Sequence, residues 1–116
     1  PEVLQQVSQA LADVVSTPGG TAHRLSRYKV SMGGKTGTAQ VVSLSSKCSS
    51  EKCRDHGWFV GFSPAKQAQI AVSVIVENGG FGSSSAAPIA GALMQKYHDI
   101  SQAQMALTAK SNKLSP

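Results

Sequence analysis

The sequence predicts an α+β fold in which three antiparallel strands are flanked by an N-terminal and a C-terminal helix. Three observations carry that prediction. Apolar residues recur every three or four positions over 3–16 and again over 86–100, which is the helical period. Two runs of apolar β-formers, 57–63 and 68–77, are separated by a short turn and so pair as an antiparallel hairpin. A third strand-like run, 30–42, has turn-like glycines at Gly33 and Gly34 and ends on Val41 and Val42.

The chain has 116 residues, enough for one small domain with a modest core. Hydrophobic residues make up 41% and aromatics 5%, so large anchors are scarce. No window of about 18 apolar residues exists, which excludes a transmembrane helix in this sequence. No signal peptide is visible at Pro1-Glu2. Val3 already lies inside a helical pattern, and that reads as a piece of a longer protein.

The first helix places Val3, Leu4, Val7, Leu11, Val14 and Val15 on its apolar side and Gln5, Gln6, Gln9 and Asp13 on its wet side. Thr17-Pro18-Gly19-Gly20 stops it, because proline cannot continue a helix and glycine allows positive φ. A basic connector follows with His23, Arg24, Arg27 and Lys29, the densest positive patch in a chain of net charge +5. Such a patch attracts anionic polymers, nucleic acid or peptidoglycan alike. No aromatic stacking platform accompanies it, so it reads as a solvated edge and no nucleic-acid partner is expected.

The strand over 30–42 has an unusual centre, Lys35-Thr36-Gly37-Thr38. Lysine and glycine are both poor strand residues. Gly37 lets a ligand or another backbone approach closely, since no Cβ blocks the way. Lys35 is a compact cation with three donors, and Thr36 and Thr38 carry hydroxyls that can grip a carboxylate. A strand edge that pairs with an anionic, peptide-like ligand needs those groups.

Residues 43–56 lack any period and are rich in serine (Ser43, Ser45, Ser46, Ser49, Ser50), a loop long enough to be functional or mobile. Cys48 and Cys53 lie within it, and a disulfide, a metal pair and free thiols are all open to them. A zinc site would have to add His56 and one distant ligand, and the Cys-x4-Cys spacing is long for that geometry. In the strand that follows, Trp58, Val60 and Phe62 share one face and Phe59 and Gly61 the other. After the turn at 63–67, Ile70, Val72, Val74 and Val76 share one face and Ala71 and Ile75 the other, the pattern of a central strand covered on both sides.

A Gly/Ser-rich loop, 78–85, precedes the second helix, with Pro88 in its first turn. Ile89, Leu93, Tyr97 and Ile100 make its apolar stripe with Met94 beside it, and Ala90, Gly91 and Ala92 are small enough for close approach to a sheet. Residues 101–116 are polar and aperiodic and read as a disordered tail. Two helices cover one face of the sheet and nothing is left for the other. About 200–400 Å² of apolar surface would stay wet at a cost of roughly 5–10 kcal/mol, so a partner segment is expected.

Four blocks in order resemble the C-terminal part of class B penicillin-binding proteins. They are Val14 to Ala22, Gly34-Lys35-Thr36-Gly37-Thr38-Ala39-Gln40, Asp55 to Pro64, and Val76-Glu77-Asn78-Gly79-Gly80 with Ala87-Pro88-Ile89-Ala90. Lys-Thr-Gly is the third signature of that family, beside S-x-x-K and S-D-N. The Val76–Gly80 run and Arg54-Asp55-His56 point to the elongation subtype, penicillin-binding protein 2. The resemblance covers about residues 3–100, and residues 1–100 are expected to be the C-terminal portion of the transpeptidase domain.

The resemblance implies a fragment of a β-lactamase/transpeptidase-like fold, carrying the last three strands of a five-stranded sheet. It implies peptidoglycan crosslinking through an acyl-enzyme on a serine, which β-lactams also acylate. Lys35 would then stabilise the substrate carboxylate and the proton network, Thr36 and Thr38 would bind that carboxylate, Gly37 would admit the ligand, and the Thr38 N–H would be half of the oxyanion hole. Partners would be the stem peptide, β-lactams, the upstream part of the same domain and the elongation machinery. The location would be the periplasmic face of the bacterial inner membrane, with no cofactor and no metal. Departures are clear. No S-x-N triplet occurs, and the S-x-x-K matches at Ser26–Lys29 and Ser49–Lys52 fall in a basic connector and a loop, not at a buried helix start. The chain alone is expected to be inactive. A non-catalytic wall-binding module and a zinc-stapled domain are the alternatives.

Overall fold

A computed structural model describes residues 1–43 and 47–114. The order is α1 (Glu2–Ser16), a short 3-10 helix (His23–Arg27), β1 (Gly33–Ala39), a 3-10 turn (Glu51–Cys53), β2 (His56–Ser63), β3 (Ile70–Val76) and α2 (Ala86–Leu114). The architecture is α+β. Ser45 and Ser46 of the serine-rich loop lie outside the described residues.

The three strands pair antiparallel in the order β1-β2-β3. Gly37 faces Trp58 and Thr36 faces Phe59 across β1 and β2. Phe59 in turn faces Val74, and Trp58 faces Ile75. Strand alternation therefore puts Thr36, Phe59 and Val74 on one face and Lys35, Val60 and Ser73 on the other. The first face is closed by the helices, with Phe59 fully buried beside Leu25, Met32, Ala87, Ala90 and Met94. The second is bare, with Trp58 37%, Ile75 44% and Val60 53% exposed. The sequence expected that open face. It also made 68–77 a central, doubly covered strand. The central strand is β2; β3 lies at the sheet's edge, with Ala71, Ser73 and Ile75 exposed.

Helix α2 departs most from expectation. Its sheet-facing side is Ala86, Ala87, Ala90, Gly91, Met94 and His98. The larger stripe of Ile89, Leu93, Tyr97 and Ile100 points outward. Small residues win the contact because they let the helix axis approach. A Cβ on Gly91 would run into the side chains of Leu25 and Tyr28. Ser63 Oγ and His98 Nε2, 3.0 Å apart, pin the helix to the end of β2 inside the core. The polar tail is also corrected: residues 101–114 continue α2 as helix. Ser101 through Lys113 contain no proline or glycine, so no breaker ends the helix at Ile100. In α1 only Val15 is buried; Val3, Leu4 and Val7 of the expected apolar side stay exposed.

Candidate active site

Lys35, Thr36, Gly37 and Thr38 lie on β1, an outer strand of the sheet with one edge unpaired. Lys35 and Thr38 are exposed and Thr36 and Gly37 half-buried. Lys35 leans along its own strand, and its Nζ donates to the Thr36 carbonyl at 2.8 Å. Its side chain stands on the bare face, while the two threonine hydroxyls stand on the other. The four residues thus surround the strand edge instead of sharing one face.

Thr36 Oγ1 lies 2.8 Å from Thr21 Oγ1. A hydroxyl has one donor and two acceptor sites, so this bond leaves Thr36 capacity for a ligand. Thr21 comes from the turn that ends α1, where the Ala22 N–H bonds back to the Val14 carbonyl at 3.2 Å. The sequence holds Thr21 in the block from Val14 to Ala22 without giving it a role; the fold brings it to β1. Gly37 meets little of its own chain, since an added Cβ would touch only Trp58 Cβ at 3.4 Å, an ordinary contact. Gly82 is the opposite case, since a Cβ there would collide with the Trp58 and Gly37 carbonyl oxygens. The 79–85 loop therefore rests on the β1–β2 backbone.

Each end of the four-residue run opens into a hollow. Lys35 borders one of about 570 Å³ shared with Asp13, Thr17, Gly20 and Thr21. Thr38 borders another of about 290 Å³ shared with Arg54, Asp55, Gly80, Phe81 and Ser84. A further hollow of about 590 Å³, between α1 and the turn after β2, contains none of the four and lies beside the uncovered half of α1.

The 3-10 turn and the segment after β3 are stitched together. Asn78 Nδ2 donates to the Lys52 and Arg54 carbonyls at 2.9 and 2.7 Å. The Asn78 N–H donates to His56 Nδ1 at 2.8 Å, which leaves the proton of a neutral imidazole on Nε2. Asn78 sits at φ 52, a left-handed conformation that asparagine tolerates better than most residues. Cys48 and Cys53 are joined as a disulfide with Cα atoms 6.0 Å apart. Among the described residues no cluster of three or more His, Cys, Asp or Glu is placed to hold a metal. Ser26 and Ser49 are both exposed; Ser26 lies in the 3-10 helix and Ser49 beside the disulfide. Ser26 borders a different hollow from Lys35.

Residues 1–95 match the penicillin binding protein transpeptidase domain. The chain belongs to that family. It is 41% identical over 87 residues to the peptidoglycan D,D-transpeptidase MrdA of Acinetobacter baumannii, covering 70% of this chain and 13% of that protein. The crystal structure of Pseudomonas aeruginosa PBP2 is similar at a TM-score of 0.68 and 39% identity, over 80% of this chain and 19% of that one. PBP2 of Helicobacter pylori in complex with MreC is similar at a TM-score of 0.67 and 28% identity, over 87% and 17%. Penicillin-binding protein A of Mycobacterium tuberculosis, as a ceftriaxone acyl-enzyme, is similar at a TM-score of 0.57 and 26% identity, over 82% and 21%. The sequence is a fragment of a class B penicillin-binding-protein transpeptidase domain and spans a small part of the relatives it matches.

Proposed function

We propose that this chain supplies the Lys-Thr-Gly strand of a D,D-transpeptidase that crosslinks peptidoglycan stem peptides and is acylated by β-lactams. The observation that carries this reading is the bare edge of β1, where Lys35 and Thr38 are exposed and Gly37 is unobstructed. A peptide laid along that edge bonds to backbone groups the sheet leaves unpaired. Lys35 and the hydroxyls of Thr36 and Thr38 hold its carboxylate, with Thr21 orienting Thr36. The Thr38 N–H serves as one oxyanion donor, a role worth about 2.7–4 kcal/mol of barrier.

The attacking serine comes from another segment of the parent protein, because Ser26 and Ser49 lie in a short 3-10 helix and an exposed loop. That serine displaces D-alanine from the donor stem, and an amine of a second stem then takes the acyl group. The bare sheet face of Trp58, Val60 and Ile75 is where the upstream part of the domain packs, and the free edge of β3 is where its further strands add. The resemblance to the elongation subtype implies a place in cell elongation at the periplasmic face of the inner membrane for the parent protein, and the likeness to a PBP2 solved in complex with MreC supports a protein partner. No cofactor is needed. Fluorescent penicillin tests the reading: the full-length protein should be labelled on a serine outside residues 1–116, and these 116 residues alone should stay dark. A full-length protein that takes no label, or takes it on Ser26 or Ser49, contradicts it.

A further inference from the structure

We infer that the outward stripe of α2 docks antiparallel on the α2 of a second copy of this chain, over residues 89–114. The helix leaves its own body halfway along. Its buried residues end at His98, and every residue from 102 to 114 is exposed. The molecule is correspondingly long and thin, 72 by 34 by 23 Å. Ile89, Leu93 and Ile100 on the first half are 46%, 52% and 49% exposed, and Leu107 and Leu114 on the projecting half are 68% and 85% exposed.

These residues are regularly spaced. Leu93, Ile100, Leu107 and Leu114 recur every seven positions. Ile89, Lys96, Ala103 and Lys110 recur on the same interval, four residues ahead of the first set. Alternate steps of four and three keep both sets on one side of the helix, the spacing of a seam that packs against another helix. Within 101–114 taken alone only Leu107 and Leu114 represent the first set, so the seam shows only once that segment continues α2.

The seam is complementary to itself in one direction. Two parallel copies would set Lys96 against Lys96 and Lys110 against Lys110, like charges inside the contact. Two antiparallel copies pair one set with the other. Ile89 meets the partner's Leu114, Leu93 the partner's Lys110, Lys96 the partner's Leu107, and Ile100 the partner's Ala103. A twofold axis repeats each pair. Every lysine then lays its methylene stem along a leucine and carries its ammonium group out to water. At the centre a small alanine receives the larger isoleucine. Residues 89–114 span about 39 Å of helix, which puts the total buried area on the order of 1,200 Å², the lower limit for a specific interface. With two lysines of each helix in the contact, the dissociation constant is on the order of 10 µM, so dilute chains are single.

Sedimentation of the full-length protein over about 1–100 µM tests the inference. The wild type should pass from one copy to two across that range. Leu107→Lys should weaken association by about tenfold or more, because position 107 faces the partner's Lys96. Adding Lys96→Glu to Leu107→Lys should restore it to within about threefold of the wild type, since positions 96 and 107 of opposite copies then carry opposite charges. Parallel copies would set position 107 against itself, and no rescue would occur. Lys96 and Leu107 are both exposed, so neither variant should change the melting temperature of the single chain. A wild type that stays single at every concentration overturns the inference and means that the upstream part of its own chain covers the stripe. Pairing that survives Leu107→Lys, or that is lost and not rescued, overturns it as well.

Discussion

The two faces of the sheet are made by the same three strands and meet opposite fates. Phe59 and Val74 lie under the helices, and Phe59 is fully buried; one residue away, Trp58 and Ile75 are open to solvent. Their hydrophobicity does not account for the difference, since tryptophan and isoleucine are as apolar as the residues they oppose. Supply does: α1 and α2 are both spent on one face. The closed face explains why the chain folds as it does. The open face, with Lys35 at its rim, is the surface on which the proposed function seats the upstream part of the domain.

Truncating a residue on each face should break the symmetry of the strands most strongly. Phe59→Ala should cost about 3–5 kcal/mol in urea denaturation of the 116-residue chain, as large-to-small changes in packed cores do. Trp58→Ala in the same chain should cost less than about 1 kcal/mol, because its partner surface is absent. Equal losses would mean that both faces are covered in solution. The next contrast lies within α2. Gly91→Ala should destabilise by about 1–3 kcal/mol by pushing on Leu25 and Tyr28, whereas Leu93→Gln on the outward stripe should stay within about 0.5 kcal/mol. The smallest effect on stability belongs to Gly37→Ala. Its Cβ would meet only Trp58 Cβ at 3.4 Å, so the melting temperature should hardly move. Penicillin acylation of the full-length protein should still fall, because the methyl group would stand where the proposed function lays the ligand.

Most of the fold was legible because its signals are local. The two-residue period of 57–63 and 68–77 and the breaker at Thr17–Gly20 put every strand and the first helix in the right order. The orientation of α2 was not legible. A stripe of Ile89, Leu93, Tyr97 and Ile100 outweighs alanines and a glycine on any hydrophobicity count, and only the closeness of approach to the sheet reverses that choice. The helical state of 101–114 was missed because that segment has no apolar period, and helix propensity alone keeps it wound. At the site, Lys35 to Thr38 stood out because lysine and glycine are rare inside strands. Thr21 and Arg54 lie in runs that carry the resemblance but had no role assigned, because only the fold brings Thr21 to the Thr36 hydroxyl and Arg54 to the hollow beside Thr38. Asn78-Gly79-Gly80 did carry a signal, the turn chemistry of residues that tolerate positive φ.

The acylation rate of Lys35→Ala in the full-length protein, measured with a fluorescent penicillin beside its melting temperature, bears most directly on the bare strand edge as the working surface. The rate should fall on the order of 100-fold, the scale on which a lost electrostatic contact at a reacting centre is felt, while the melting temperature moves by no more than about 2 °C. A normal rate with a large drop in melting temperature would make Lys35 a structural residue and contradict the account.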